Sequence, residues 1–142
     1  MGINTGLGTT AVFTIQSLAL KIVSIDIGNQ TLPTVNISTL ATTNYEQYIP
    51  GDLSESGQVT LECQFDSEAD QIALGAVDTL TITLPLTGTG TSNATWVGTG
   101  FITDYKPPGF LKNELQTHTV TFQFDGGANS GTAPTFTKQT TV

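Results

Sequence analysis

The sequence predicts a mainly β protein: a β-sandwich or partly closed barrel with one flanking α-helix and extended terminal arms. Three observations carry this. About one residue in five is threonine, a β-branched type suited to a pleated surface, while Lys, Glu and Arg, the usual fillers of exposed helix faces, are scarce. Several stretches alternate apolar and polar residues, which puts the apolar set on one face of a sheet. One stretch alone switches to helical spacing. At 142 residues the expectation is a single domain spanning 1–142, and such a chain buries roughly two thirds of its unfolded surface.

Residues 1 to about 10 are Gly/Thr-rich and read as a flexible arm. Residues 11–27 have extended character. Within them Leu18, Leu20 and Ile22 share one parity and Val23, Ile25 and Ile27 the other. That switch predicts a bulge, a bend, or a strand covered on both faces. Gly28-Asn29 marks a turn, and Val35 and Ile37 a short strand ending near Leu40.

The cleanest strand spans about 58–65, where Val59, Leu61, Cys63 and Phe65 alternate with Thr60, Glu62 and Gln64. Ser67 then reads as an N-cap, and Ala69, Ile72, Ala73 and Ala76 fall at i, i+3, i+4 and i+7, predicting a helix over about 67–76. Leu80, Ile82 and Leu84 alternate with Thr79, Thr81 and Thr83 in a further half-buried strand. From Trp96 to Tyr105 a strand carries Trp96, Gly98, Gly100 and Ile102 on one face and Val97, Thr99, Phe101, Thr103 and Tyr105 on the other. Glycines in such alternation predict close approach of a ring or a backbone. Lys106-Pro107-Pro108-Gly109 breaks the sheet, and a last strand, to Phe124, sets His118, Val120, Phe122 and Phe124 on one side. Residues 126–142 are again Gly/Thr-rich, a second arm.

The loop before the 58–65 strand is not a plain connection. Tyr45, Tyr48, Ile49 and Leu53 sit among Pro50, Gly51 and Gly57, and a solvated loop has no need of four large apolar groups. Either they fold onto the subunit's own core or they dock on a neighbour.

Several function classes fall away. Four lysines, no arginine and twelve carboxylates give a formal charge of −8, too little positive charge for a nucleic-acid patch. Cys63 is the only cysteine, so no intrachain disulfide forms, and its register reads as a small core hydrophobe. His118, the sole histidine, sits in an apolar register and reads as a satisfied or edge residue rather than a base. Phosphate loops, the strand–Ser–helix elbow and metal-ligand spacings are absent, so neither enzyme activity, a metal site nor a cofactor is expected. Asp66, Glu68 and Asp70 are accounted for by a helix start, and they lack the Gly and distal Glu of a calcium loop. No apolar run reaches membrane length, and the first residues lack a signal peptide's features, so a soluble product made in a cytoplasm is expected. What remains is surface: two arms and an apolar loop, which self-assembly explains economically because contacts would offset the entropy of ordering them.

The stretch TNYEQYIPGDLSESGQVTLECQFD (43–66), the acidic residues after Phe65, GFITDYKPPG (100–109) and TVTFQFDGG (119–127) together resemble the major tail tube proteins of long-tailed bacteriophages. The likeness spans most of residues 18–127, and the order of the motifs carries it. It implies a β-sandwich or barrel subunit with a flanking helix, forming hexameric rings that stack into a hollow tube for DNA delivery to the host. The implied partners are copies of the chain and other tail proteins, with DNA passing through without specific binding. The implied location is the virion, after synthesis in the bacterial host's cytoplasm. On this reading Tyr45, Tyr48, Ile49, Pro50 and Leu53 form a subunit interface, and Glu62, on a polar strand face, is a candidate to face the lumen. Two alternatives stand beside it. One is another virion part on a related fold, a tail terminator or capsid decoration protein. The other is a carbohydrate-binding adhesive module with Trp96, Tyr45 and Tyr48 as its sugar platform.

Overall fold

A computed structural model describes residues 6–14, 18–68, 72–129 and 133–141, the side chains of Leu18 and Ala19 excepted. Its strands are β1 (Thr10–Phe13), β2 (Leu18–Leu20), β3 (Ile22–Ile27), β4 (Thr34–Asn36), β5 (Tyr48–Pro50), β6 (Gln58–Gln64), β7 (Val77–Thr83), β8 (Gly90–Ser92), β9 (Thr95–Lys106), β10 (Thr117–Phe124), β11 (Thr135–Thr137) and β12 (Thr140–Thr141). The main sheet has the order β2-β1-β7-β9-β10-β6-β3, with β11 added to β9. All its pairings are antiparallel. β4 pairs with β5, and β8 with β12, as two separate two-stranded sheets.

The expected β-rich character holds, but the flanking helix and the sandwich do not. Among the described residues there is no helix, and one sheet curls into a half-barrel instead of two sheets packing face to face. In the stretch expected to be helical, residues 67–68 and 74–75 are turns, while residues 69–71, including Ala69 and Asp70, lie outside the described residues. The physical cause is local. The Asp66 carboxylate accepts the Glu68 N–H at 2.9 Å, a turn that competes with helix initiation. Gly75 has φ 74°, a conformation outside any helix. Ile72 is buried while its neighbours Ala73 and Leu74 are exposed, so among the described residues of this stretch Ile72 is the one that joins the core. A short helix with a small apolar face gains too little packing to offset its nucleation cost.

Two consecutive strands occupy the two edges of the curled sheet. β2 pairs with β1 at one edge of the sheet, and β3, after the single residue Lys21, pairs with β6 at the other. Val23 is then bulged out: Ile22 stands opposite Cys63 and Ser24 opposite Glu62. The bulge explains the parity switch in the sequence. Leu20, Ile22, Ile25 and Ile27 all pack on the core, while Val23 is exposed.

The core fills the inside of the curl. Alternation in β6 and β10 delivers Val59, Leu61, Cys63, Val120, Phe122 and Phe124, joined by Ala11, Phe13, Leu80, Ile82 and Ile102. The Phe13 and Phe122 rings meet with centroids 5.6 Å apart, and Phe122 meets Phe124 edge-on at the same distance. Gly98 and Gly100 take their predicted roles. A Cβ on Gly98 would collide with the Phe124 ring, and one on Gly100 with the Gln123 carbonyl. Tyr105 departs from its expected face. A bulge at the Thr121/Phe122 step sets Phe122 opposite Ile102 and Thr121 opposite Asp104, so Tyr105 turns inward with Ile102. The C-terminal residues expected as an arm run back along the sheet. β11 pairs with β9 beyond the end of β10, and the Phe136 ring lies 4.9 Å from that of Trp96.

Candidate functional site

Residues 28–57 leave the main sheet between β3 and β6 and expose a cluster of large apolar side chains. Their base is tied: Gly28 N–H donates to the Gln58 carbonyl at 2.6 Å, and Thr31 and Glu55 exchange backbone bonds at 3.2 and 2.8 Å. Above the base, β4 and β5 pair Thr34 with Pro50, Val35 with Ile49 and Asn36 with Tyr48. Pro50 costs no ladder bond because β5 is an edge on its other side. The tip is shaped by its own polar groups. Asn36 Oδ1 accepts the Ser38 N–H at 2.8 Å, Ser38 Oγ accepts the Gln47 N–H at 2.6 Å, and Thr39 and Thr42 bond each other.

The apolar side chains take no part in that scaffold. Tyr45 is 86% exposed, Leu53 81% and Leu40 fully exposed, with Val35, Ile37, Tyr48 and Ile49 about half exposed. None of them packs on the core. Of the two fates open to the loop, folding onto its own core is therefore not the one taken. The Tyr48 hydroxyl donates to Glu46 Oε2, which holds the phenol above its ordinary range.

Glu62 is half-buried on the outer face of β6, where the Ser24 hydroxyl reaches its carboxylate at 3.4 Å. That face is a field of threonines. In register across β3, β6, β10 and β9 run one row of Ser24, Glu62, Thr119 and Lys106, and a second of Asp26, Thr60, Thr121 and Asp104.

The groups with reactive potential are turned inward. Cys63 is fully buried opposite His118, and burial, with the Glu62 charge, pushes its thiol up to about 11. It is no nucleophile at neutral pH. His118 Nδ1 lies 3.0 Å from the Tyr105 hydroxyl, and its ring meets those of Phe65 and Tyr105 edge-on; burial holds it below its ordinary value. One buried acidic residue had no counterpart in the sequence reading: Asp78 is wholly inaccessible opposite Gly100, and its side-chain oxygen accepts the Thr79 N–H at 2.7 Å. Its parity with Leu80 and Ile82 was the available signal. Among the described residues no group of His, Cys, Asp and Glu could hold a metal ion, and no helix is long and apolar enough to cross a membrane. Trp96 lies half-buried in β9 against Phe136, on a different element from Tyr45 and Tyr48. Beside it opens an apolar cleft of about 730 Å³, lined among others by Leu7, Ile25, Ile27 and Ile82.

No known family model matches the chain, and no curated protein matches it. Solved structures do. A chain from the PVC sheath/tube terminator of an extracellular contractile injection system, in its extended state, has a TM-score of 0.71 at 15% identity, covering 96% of this chain and 98% of that one. A chain from the cap that terminates the tube of the anti-feeding prophage gives 0.68 at 16% identity, covering 97% and 92%. A third, from the PVC sheath-tube complex, gives 0.66 at 17% identity, covering 92% and 88%. Likeness at such identity establishes architecture. The chain has the fold of proteins found in phage-tail-like contractile injection assemblies.

Proposed function

We propose that this chain is a structural subunit of a phage-tail-like tube, assembling with copies of itself into a ring at or next to the tube's end. The observation that carries the proposal is the exposed apolar hairpin on a fold matched over nearly its whole length. Groups such as Tyr45, Ile49 and Leu53 are held in water by a polar scaffold, and exposed apolar surface of this kind marks an interaction site. The terminal position is favoured by the matches from a sheath/tube terminator and a tube-terminating cap. The second reading, a major tube protein repeated along the tail, is supported by the match from a sheath-tube complex and by the likeness to long-tailed-phage tube proteins. In both, Tyr45, Tyr48, Ile49, Pro50 and Leu53 belong to a subunit interface, and the role is structural, not catalytic.

Negative-stain microscopy of the purified chain separates the readings. Single rings that do not grow support the terminator, and long tubes support the tube protein. A chain that stays monomeric at every concentration overturns both. In either assembly the threonine face bearing Glu62, Asp26 and Asp104 is the candidate lumen surface, since carboxylates there repel phosphates within a Debye length of about 8 Å. Replacing Glu62 and Asp26 with Lys should leave particles intact and slow DNA delivery. Unchanged delivery would count against that orientation.

A further inference from the structure

The topology places two exposed apolar surfaces at opposite ends of the half-barrel. The hairpin segment 28–57 rises where β3 ends and β6 begins, beside the Gln58–Gln123 pair. The loop 107–116 lies at the other end, between Lys106 of β9 and Thr117 of β10, where Thr117 stands opposite Gln64 and Gln116 accepts the Phe65 N–H. Phe110, Leu111 and Leu115 in this loop are each about two-thirds exposed or more.

The two ends differ in charge. Segment 28–57 carries Glu46, Asp52 and Glu55 and no basic residue. The stretch 106–116 carries Lys106 and Lys112 against the single acid Glu114. Of the other groups at that end, Lys21 is paired with Asp66 at 3.0 Å, Glu68 follows in the adjoining turn, and Glu62 and Asp104 lie on the outer sheet face in the rows beside Lys106, while Lys112 lies in the loop itself. Three of the four lysines therefore gather at the loop end. Hairpin against hairpin would set like charges together, whereas hairpin against loop sets acids opposite lysines around an apolar centre.

We infer that the hairpin of one copy docks on the 106–116 loop of the next, the two surfaces being the halves of one heterologous interface. Leu40, Tyr45 and Leu53 meet Phe110, Leu111 and Leu115, with Lys106 and Lys112 at the rim facing the hairpin's carboxylates. A heterologous contact repeats from copy to copy and closes into a ring when the rotation allows, or continues as a stack when it does not. The inference rests on the self-assembly proposed above and names the surfaces that perform it.

Complementation tests it. One variant carries Leu40→Asp and Tyr45→Asp, the other Phe110→Asp and Leu111→Asp; all four side chains are exposed, so both variants should fold. Native mass spectrometry should find that neither assembles past the unit lacking this junction, while an equal mixture forms a species of twice that mass and nothing larger. A third variant, Lys106→Glu with Lys112→Glu, keeps the apolar surface and should weaken association at low salt by about tenfold or more. The inference is overturned if the loop variant or the charge-reversed variant assembles like the wild type, or if the mixture shows no doubled species. A wild-type chain that never assembles overturns instead the self-assembly on which the inference stands.

Discussion

Leu20 and Ile22, with one residue between them, stand at opposite edges of the sheet: Leu20 faces Ala11 in β1 and Ile22 faces Cys63 in β6. Lys21 is the corner. Its carbonyl accepts the Gln64 N–H at 2.8 Å, and its ammonium reaches Asp66 at 3.0 Å. β2 and β3, joined at Lys21, thus span the two edges of the curled sheet around a single apolar filling, and the loops are carried at the two ends of that curl.

Core and hairpin substitutions should divide cleanly. Leu61→Ala, in the fully buried filling, should cost about 2–5 kcal/mol, and Phe122→Ala about 3–5 kcal/mol, read as shifts in the urea midpoint. Tyr45→Ser and Leu53→Ser should stay within about 0.5 kcal/mol because neither side chain leaves water on folding. Destabilisation of the hairpin variants comparable with that of the core variants would show that the loop packs on its own subunit.

Gly98→Ala isolates a steric effect. An added Cβ meets the Phe124 ring, so overpacking should cost about 1–3 kcal/mol despite alanine's smaller unfolded-state entropy. Pairing it with Phe124→Leu should recover part of the loss. A stabilised Gly98→Ala protein would contradict the packing of Phe124 over β9.

Two acid-sensitive groups act in separate pH windows. Burial depresses His118 below its ordinary value of 6.5, so in that range the unfolded chain binds more protons than the folded one. Its contribution is fully present above pH 6.5 and is lost as pH falls through the lower folded value. His118→Gln should therefore lose less stability than the wild type between pH 7.5 and 5.5. Asp66 is held below its ordinary 3.8 by the Glu68 N–H and by Lys21, so its contribution persists above that value and disappears as pH falls further. Asp66→Asn should flatten the unfolding profile only below pH about 4. Identical profiles for wild type and variants would refute both assignments.

Cys63 provides a probe of opening. With its thiol buried and raised to about 11, alkylation at pH 7.5 should be far slower in the native protein than in urea, and core substitutions should accelerate it. Labelling at the rate of a free thiol would place Cys63 outside the core.

In β6 and β10 the inward-facing residues were legible in the sequence. Period-2 alternation is a property of neighbours along the chain, so Val59, Leu61, Cys63, Val120 and Phe122 were legible as one buried set, and Gly98 and Gly100 as sites of close packing. The apolar loop around Tyr45 was legible as an anomaly, and its docking residues remain a proposal. The tertiary structure alone decided the rest, because each remaining feature depends on partners distant in sequence. Nothing near Lys21 shows that Leu20 and Ile22 will join opposite edges, or near Thr103 that a bulge against β10 will turn Tyr105 inward. The stripe over 67–76 satisfied the helical pattern, yet Ile72 joined the core of the sheet and Asp66 had a nearby N–H to bind. The hairpin's exposure is of the same kind: apolar residues are buried only where the fold brings a surface to cover them, and this subunit brings none.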